Sequence, residues 1–378
     1  MTARPSGSYR PDVNVAAEEV RELAGAVPWF ALQAVTPTAL ASVVGEIRDD
    51  EARRIVAAVH RDERLAPPPR GVRRVAVERV LARAGVPALD VVTERRSLLD
   101  PFRKLLLQTP DGRRIEAVRI PLERPGRFSV CVSSQVGCAL GCTFCATGRL
   151  GLDRNLETWE IVEQVRAVRR TLDRARGERV HGVVFQGMGE PMANLDRVLA
   201  AILVFTDPSA LAIDARAITV CTSGLPAGIR RLAREAPRVR LGLSLGSAIA
   251  EKRASLMPIA RAHDLAEVID AAEEHTRCTG YAPLWAYTLL SGVNDGPEDA
   301  RALAALCRAF EVRTAKRPRL SLIPYNAIGG DRDPFDRTPL DRETRFRDEL
   351  AELGVYGKKR YSGGGDVAAA CGQLAGAG

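Results

Sequence analysis

Four of the eight cysteines in this 378-residue chain lie within fifteen residues, from Cys131 to Cys145. The last three, Cys138, Cys142 and Cys145, are spaced Cys-x3-Cys-x2-Cys. Three thiolates on one short loop can hold three irons of a [4Fe–4S] cube and leave the fourth iron without a protein ligand. Electron transfer does not need an open iron, whereas binding a small molecule does. The spacing therefore predicts an open [4Fe–4S] site.

A structural zinc site is the main alternative for this loop. Such a site requires four ligands, usually two Cys-x2-Cys pairs or cysteines combined with histidines. This loop has one Cys-x2-Cys, and no histidine lies within thirty residues of it, His181 being the nearest downstream. A secreted disulfide framework fits poorly, because the chain is long and its other cysteines are scattered. The open cluster is favoured.

The composition allows one large domain plus a small one, since 46% of the residues are hydrophobic and can form a sizeable core. The N-terminus lacks the apolar run of a signal peptide, and no apolar stretch approaches transmembrane length. We therefore expect a cytoplasmic protein, in a compartment where thiols stay reduced. The net charge of +8 is compatible with a polyanionic substrate.

The first part of the chain has helical periodicity, as in Val15–Leu23 and Glu51–Val59. A proline-rich break at 66–70 precedes a basic helical segment, Gly71–Arg83. These patterns predict a small helical N-terminal domain over residues 1–95. Its basic face is a candidate RNA-binding surface, with an ordinary solvated helix face as the alternative.

A β-hairpin is predicted next, from Lys104–Thr109 and Arg114–Ile120 around a Pro-Asp-Gly turn. Strands and helices then alternate to the end of the chain, which indicates parallel strands joined by crossover helices. The strand-like runs are Phe128–Ser133, His181–Phe185, Ala217–Cys221, Val239–Ser244, Leu284–Leu290, Leu320–Pro324 and Gly354–Tyr361. We expect an α/β fold over residues 96–378, a partial (β/α)6 barrel, with ligands at the carboxyl ends of its strands.

Several further motifs accompany the cysteine loop in a fixed order. They are Cys131-Val-Ser-Ser-Gln-Val-Gly-Cys138, Gly187-Met-Gly-Glu-Pro191, Gly292-Val-Asn-Asp295, Leu322-Ile-Pro-Tyr-Asn326 and Ala369-Ala-Cys-Gly-Gln-Leu374. From about Leu98 onward the chain resembles the radical S-adenosylmethionine (SAM) adenosine methyltransferases of the RlmN/Cfr type. The resemblance implies a [4Fe–4S] cluster on Cys138, Cys142 and Cys145, with SAM on the open iron.

The resemblance also implies which residues hold SAM. Gly189 and Glu190 would contact its methionine end, with an ordinary strand-to-helix turn as the alternative reading of their motif. The remaining candidates lie at strand ends and are Cys221, Ser244, Leu245, Gly246 and Asn326. Cys221 stands where serine is usual in the family, and Gly246 where histidine is usual.

Ring carbons 2 and 8 of adenine are not nucleophilic, and the resemblance implies a route that uses two SAM molecules. One methylates Cys371, and a radical derived from the other takes a hydrogen from that methyl group. The carbon then adds to the adenine of an rRNA or tRNA, Glu116 accepts the ring proton, and Cys131 attacks the Cys371 sulfur, leaving a disulfide. The alternatives are a small buried residue for Cys371 and a water-facing strand carboxylate for Glu116. An external electron donor such as flavodoxin is implied.

The C-terminal motif departs from the family. Where members that act on carbon 2 usually read Arg-Gly-Asp-Asp-Ile-Asp, this chain has Gly363-Gly-Gly-Asp-Val-Ala368. The three glycines predict a mobile hinge before Cys371, and the choice between carbon 2 and carbon 8 stays open. Two other readings are a radical SAM enzyme for a peptide or small molecule, which would lack the Cys131 and Cys371 pair, and an RNA-binding protein with a structural metal.

Overall fold

The computed structural model describes residues 29–62, 65, 67–328, 333–361 and 363–375. They form two compact units. The smaller contains the described residues up to Pro87 together with Leu203–Ala212, and the larger begins at Ala88 and contains the rest. The helix expected at Val15–Leu23 lies outside the described residues.

The smaller unit is mainly helical. Its elements are β1 (Phe30–Ala31), α1 (Pro37–Val44), α2 (Asp49–Asp62), α3 (Arg74–Leu81) and β2 (Ala84–Gly85), and β1 pairs with β2 in parallel. The helices predicted around Glu51–Val59 and Gly71–Arg83 are confirmed as α2 and α3. Apolar side chains of these helices form one core, for example Leu40, Ile55 and Val80, all without solvent exposure. Within it the buried Glu51 carboxylate pairs with Arg73 at 2.8 Å.

The larger unit is built on a ten-stranded sheet. Its strands are β3 (Asp90–Arg96), β4 (Arg103–Gln108), β5 (Arg114–Pro121), β6 (Arg127–Val132), β9 (Arg179–Phe185), β10 (Ile218–Thr222), β11 (Arg240–Ser244), β12 (Leu284–Leu289), β13 (Arg319–Pro324) and β14 (Gly357–Lys359). Their order is β14-β13-β12-β11-β10-β9-β6-β5-β4-β3. Within this sheet, β6 and β9 to β14 are parallel to one another, whereas β3, β4, β5 and β6 pair in antiparallel fashion.

Helices connect the parallel strands. They are α4 (Ala146–Arg149), α5 (Thr158–Arg170), α6 (Leu195–Thr206), α7 (Pro226–Glu235), α8 (Ala250–Leu256), α9 (Leu265–Thr279), α10 (Pro297–Thr314) and α11 (Leu340–Glu352). The sheet does not close on itself, because β14 and β3 are its two edges. The predicted partial barrel is confirmed, and the predicted hairpin is β4 and β5. Strands β1, β2 and β3 and helices α4, α6 and α8 were not predicted.

A short hairpin interrupts the alternation after β6. It consists of β7 (Gln135–Cys138) and β8 (Gly151–Asn155), which pair in antiparallel fashion with Cys138 opposite Gly151. The cysteine loop therefore leaves the carboxyl end of β6 and is closed at its base by this hairpin, as expected for a ligand site of an α/β sheet. In the described part of the chain, no helix combines the length and the apolar character that a membrane crossing requires.

Candidate active site

The three cysteines of the Cys-x3-Cys-x2-Cys motif line one cavity. Cys138 ends β7, Cys142 lies in the following loop, and Cys145 immediately precedes α4. The loop folds tightly, since a Cβ on Gly148 would lie 2.8 Å from the Cys142 carbonyl oxygen. The motif thus presents all three thiols to the same space.

The environment of these thiols suits a cationic group. Burial, together with the charges of neighbouring ionisable groups, raises the pKa of the Cys138 thiol to about 11 and that of Cys142 to about 12. The Leu140 amide and the Ser223 hydroxyl act in the opposite direction, by donating to Cys138 and Cys142 respectively. Metal ions bind thiolates and offset this cost of burying negative charge. The donor set therefore fits an iron–sulfur cluster.

Among the described residues, no three histidine, cysteine, aspartate or glutamate side chains are arranged to hold a single metal ion.

The Gly187-Met-Gly-Glu-Pro motif forms the next wall of the cavity. A Cβ on Gly187 would lie 2.6 Å from the Val132 carbonyl oxygen, so the backbone passes where no side chain fits. The buried Glu190 carboxylate accepts hydrogen bonds from the amides of Met192, at 3.0 Å, and Ser223, at 2.9 Å. Burial nevertheless raises the pKa of Glu190. A buried carboxylate of this kind is well placed to meet a cationic ligand group.

Three of the other predicted SAM contacts line the cavity, and two do not. Cys221, Ser244 and Gly246 line the same cavity as the cysteine loop. Leu245 is fully buried in the core and does not line this cavity, and its amide donates to the Ala286 carbonyl oxygen at 3.0 Å. The Asn326 side-chain amide donates to the Cys371 carbonyl oxygen at 3.2 Å, so it contacts the C-terminal segment.

The structure accounts for the glycine at position 246, where the family usually has histidine. Gly246 adopts φ +69°, and a Cβ there would lie 2.5 Å from the Met257 sulfur. Met257 is fully buried and packs with Leu256 and Tyr325 beside the cysteine loop. The space that a side chain at 246 would need is therefore filled by methionine.

A second cavity adjoins the first and contains Cys131 and Cys371, the two cysteines of the predicted methyl transfer. It is lined by Cys131, Arg360 and Cys371, among others. Cys371 and Gln186 line both cavities. Arg360 donates to the Gln186 side-chain oxygen at 2.8 Å. Burial raises the pKa of Cys131, whereas the Arg360 charge lowers it.

Residues 369–375, which we call the Cys371 arm, are held close to the cysteine loop. The Ala146 amide donates to the Gly372 carbonyl oxygen at 2.8 Å, and the Thr147 hydroxyl donates to that of Leu374. Because Ala146 follows Cys145 directly, the arm is attached to the segment that carries the last predicted cluster ligand.

The glycine run before the arm is also held in place. The Asp100 carboxylate accepts hydrogen bonds from the Gly364 amide, at 3.0 Å, and from the Tyr361 hydroxyl, at 2.9 Å. Gly364 adopts φ +71°, and a Cβ on Gly363 would lie 2.4 Å from the Phe102 ring. Gly363 and Gly364 are thus required by this conformation itself, and the predicted role of the glycine run as a hinge stays a prediction.

Glu116 is not a water-facing carboxylate, and that alternative is wrong. The residue has no solvent exposure, and its Oε1 lies 2.8 Å from Nζ of the equally buried Lys104. Its Oε2 accepts a hydrogen bond from the Ala375 amide at 3.0 Å. Glu116 therefore joins the antiparallel part of the sheet to the Cys371 arm.

Three residues of this region were missed in the sequence: Lys104, Gln186 and Arg360. Gln186 could have been found, because it stands between β9 and the glycine motif. Lys104 and Arg360 lie in strand-like runs that give no sign of a polar role, and only the fold brings Lys104 to Glu116 and Arg360 to the cysteines.

Comparisons with known proteins agree with this geometry. Residues 132–284 match the Radical SAM superfamily. The chain is 56% identical to a probable RNA methyltransferase of Sorangium cellulosum over 90% of each protein. It is 42% identical to the dual-specificity RNA methyltransferase RlmN of Syntrophobacter fumaroxidans, over 75% of this chain and 79% of that protein.

A solved structure is also similar. The crystal structure of a radical SAM methyltransferase from Sphaerobacter thermophilus matches with a TM-score of 0.82 and 34% identity, over 92% of this chain and 100% of that one. The radical SAM family implies a [4Fe–4S] cluster and SAM, which the three thiols and the adjoining cavity suit. The fold, the cysteine loop and these relatives together place the chain in the RlmN/Cfr family of radical SAM RNA methyltransferases.

Proposed function

We propose that this enzyme methylates carbon 2 or carbon 8 of an adenosine in RNA, through a methyl group carried on Cys371. The supporting observation is that Cys371 lines both the cavity of the cysteine loop and the cavity of Cys131. A thiol in that position can receive a methyl group on one side and deliver it on the other. The paired cysteines distinguish this proposal from a radical SAM enzyme of another kind.

The cofactors have a defined place in the proposal. Cys138, Cys142 and Cys145 would hold the cluster. Gly189, Glu190, Cys221, Ser244, the main chain at Leu245 and Gly246, and Asn326 would hold SAM. When bound, the cluster and SAM supply the methyl group and a 5′-deoxyadenosyl radical. The Glu190 carboxylate would accept a hydrogen bond from the SAM ammonium.

Arg360 would prepare the thiol for methylation. A thiolate is the nucleophile in methyl transfer from a sulfonium, and a nearby cation favours it. The charge on Cys371 is the largest cause that raises the pKa of Arg360, with Cys221 and Cys131 adding to it. We assign the Arg360 guanidinium the task of stabilising the Cys371 thiolate.

Glu116 and Cys131 would complete the reaction. After the methylene carbon has bonded to the ring, Glu116 would accept the ring proton. Once the adduct has given up its unpaired electron to the external electron carrier, Cys131 would attack the Cys371 sulfur and break its bond to the methylene carbon. That carbon would take up a proton to become the methyl group, and a disulfide would be left for later reduction. Both residues are close to the arm, since Glu116 accepts from Ala375 and Cys131 shares a cavity with Cys371.

RNA is the proposed substrate class because two relatives are named as RNA methyltransferases and the net charge is +8. A base whose ring carbon is modified must be reached in a loop or turned out of its stack. Both rRNA and tRNA adenosines fit this requirement, and the basic face of the smaller unit is the proposed accessory RNA-binding surface.

The proposal is tested with anaerobically reconstituted enzyme, SAM, a reductant and RNA, followed by mass spectrometry of the nucleosides. We expect 2-methyladenosine or 8-methyladenosine from the wild type and none from Cys371→Ala. Cys131→Ala should instead accumulate a protein–RNA adduct that survives denaturant. Methylated adenosine from Cys371→Ala would overturn the proposal.

A further inference from the structure

Arg253 of α8 is a buried cation that binds only neutral groups. It is 1% exposed. Its guanidinium donates to the main-chain carbonyl oxygens of Ser223, at 2.7 Å, Ser244, at 3.2 Å, and Leu245. No carboxylate of the described residues forms an ion pair with it, and its Nε has no hydrogen-bond partner there. A buried charge is costly unless an opposite charge offsets it. The arginine therefore indicates an anion that the side chains of the protein do not supply.

The site of the predicted cluster lies beside this arginine. The guanidinium contacts the Met257 sulfur at 3.5 Å, and Met257 packs in the same buried cluster of side chains as Cys142. Burial lowers the pKa of Arg253 to about 10, and the negative charge of Cys142 acts against that lowering. The anion nearest to the guanidinium is thus the thiolate of a predicted cluster ligand.

Ser223 connects the arginine to two groups of the cavity. Its carbonyl oxygen binds Arg253, and its hydroxyl donates to the Cys142 sulfur. Its amide donates to the Glu190 carboxylate at 2.9 Å. Ser223 directly follows β10 and lines the cavity of the cysteine loop. One residue therefore joins the buried cation, a predicted cluster sulfur and the carboxylate proposed to meet SAM.

We propose that Arg253 is the counter-ion of the [4Fe–4S] cluster and that, together with Ser223, it raises the reduction potential of the cluster. This inference rests on the proposed function, in which the cluster passes one electron to SAM. A cube held by three thiolates is an anion, and it gains one more negative charge when it is reduced. A fixed positive charge stabilises the reduced form more than the oxidised form, and a hydrogen bond to a ligating sulfur acts in the same direction.

A purely structural role for Arg253 makes a different prediction. By binding Ser223 and Ser244, the arginine ties the segment after β10 to the end of β11, and loss of this tie would lower stability and weaken SAM binding. It would not change the potential of a cluster that carries no SAM. Arg253 acts through Ser223 and through its charge, so it is a positioning residue, and the potential separates the two roles.

The test is a redox titration of the reconstituted cluster without SAM, followed by the EPR signal of its reduced form. In Arg253→Gln, which keeps an amide donor and removes the charge, we expect the midpoint potential to fall by about 59 mV, the equivalent of tenfold in a one-electron equilibrium. Arg253→Lys should keep most of the wild-type potential. Ser223→Ala removes the hydroxyl and leaves the carbonyl that binds Arg253, and it should lower the potential by a smaller amount.

Arg301→Met is the matched control, because it removes one positive charge from an exposed position on α10. Its potential should equal that of the wild type. An equal fall in this control, or an unchanged potential in Arg253→Gln with full iron content, would overturn the inference. If Arg253→Gln takes up no iron, Ser223→Ala decides, and an unchanged potential there would overturn the inference as well. A wild type that takes up no iron and sulfide would instead defeat the proposed function.

Discussion

The Lys104 ammonium and the Glu116 carboxylate form an ion pair 2.8 Å long between adjacent antiparallel strands, with both side chains buried. The second carboxylate oxygen of Glu116 binds the Ala375 amide. The group proposed to accept a proton is thus held by a cation on one side and by the Cys371 arm on the other. Access of the substrate to this carboxylate requires the Ala375 contact to open.

Lys104→Met should be strongly destabilising. The substitution leaves the Glu116 charge buried without its partner, which costs about 3–5 kcal/mol. The measurement is urea unfolding at neutral pH. Lys104→Met combined with Glu116→Gln should recover most of the loss, because the double variant buries no unpaired charge. A single variant as stable as the wild type would show that the pair is not buried as described.

Gly246→His, which introduces the residue usual in the family, should destabilise the enzyme by about 1–3 kcal/mol through overpacking. The new side chain would collide with the Met257 sulfur and occupy φ +69°. Thermal unfolding measures the loss. Adding Met257→Ala should restore part of the stability by opening that space. An additive loss in the double variant would contradict the collision.

Arg360→Met should slow methylation of Cys371 roughly tenfold, because the thiolate nucleophile loses the positive charge of the guanidinium. The assay follows the methylated Cys371 peptide by mass spectrometry, with SAM and reductant but without RNA. Arg360→Lys keeps a positive charge and should retain an intermediate rate. Equal rates for the methionine variant and the wild type would show that Arg360 does not assist the methylation of Cys371.

Stability should fall in mild acid because of His275. Burial lowers the pKa of this histidine from 6.5 to about 4, so the folded state holds it neutral. The unfolded chain takes up the proton first, and stability is therefore lost as the pH falls from about 6.5 to 4. The loss amounts to about 3 kcal/mol. In His275→Leu, urea unfolding should show a smaller difference in stability between pH 7 and pH 5 than in the wild type. An unchanged difference would show that His275 is not the cause of the acid sensitivity.

The sequence predicts the parallel part of this fold well, because buried strands and amphipathic helices have distinct periodicities. Strand β3 was missed, since most of its residues are exposed and polar. The cysteine loop and the glycine motif could be predicted because the residues of each lie close together in the sequence and form a recognisable motif. Arg360 carries no such signal, because its partner Gln186 lies far away in the chain. Lys104 pairs with Glu116 across the predicted hairpin, but the sequence does not show that this pair is buried.

The attachment of the Cys371 arm to Ala146 and Thr147 couples two parts of the chain that are far apart in sequence. The sulfur proposed to accept the methyl group takes its position from the segment that carries Cys145. A substitution that distorts the cysteine loop should therefore also displace Cys371, and damage to one part would be felt in the other.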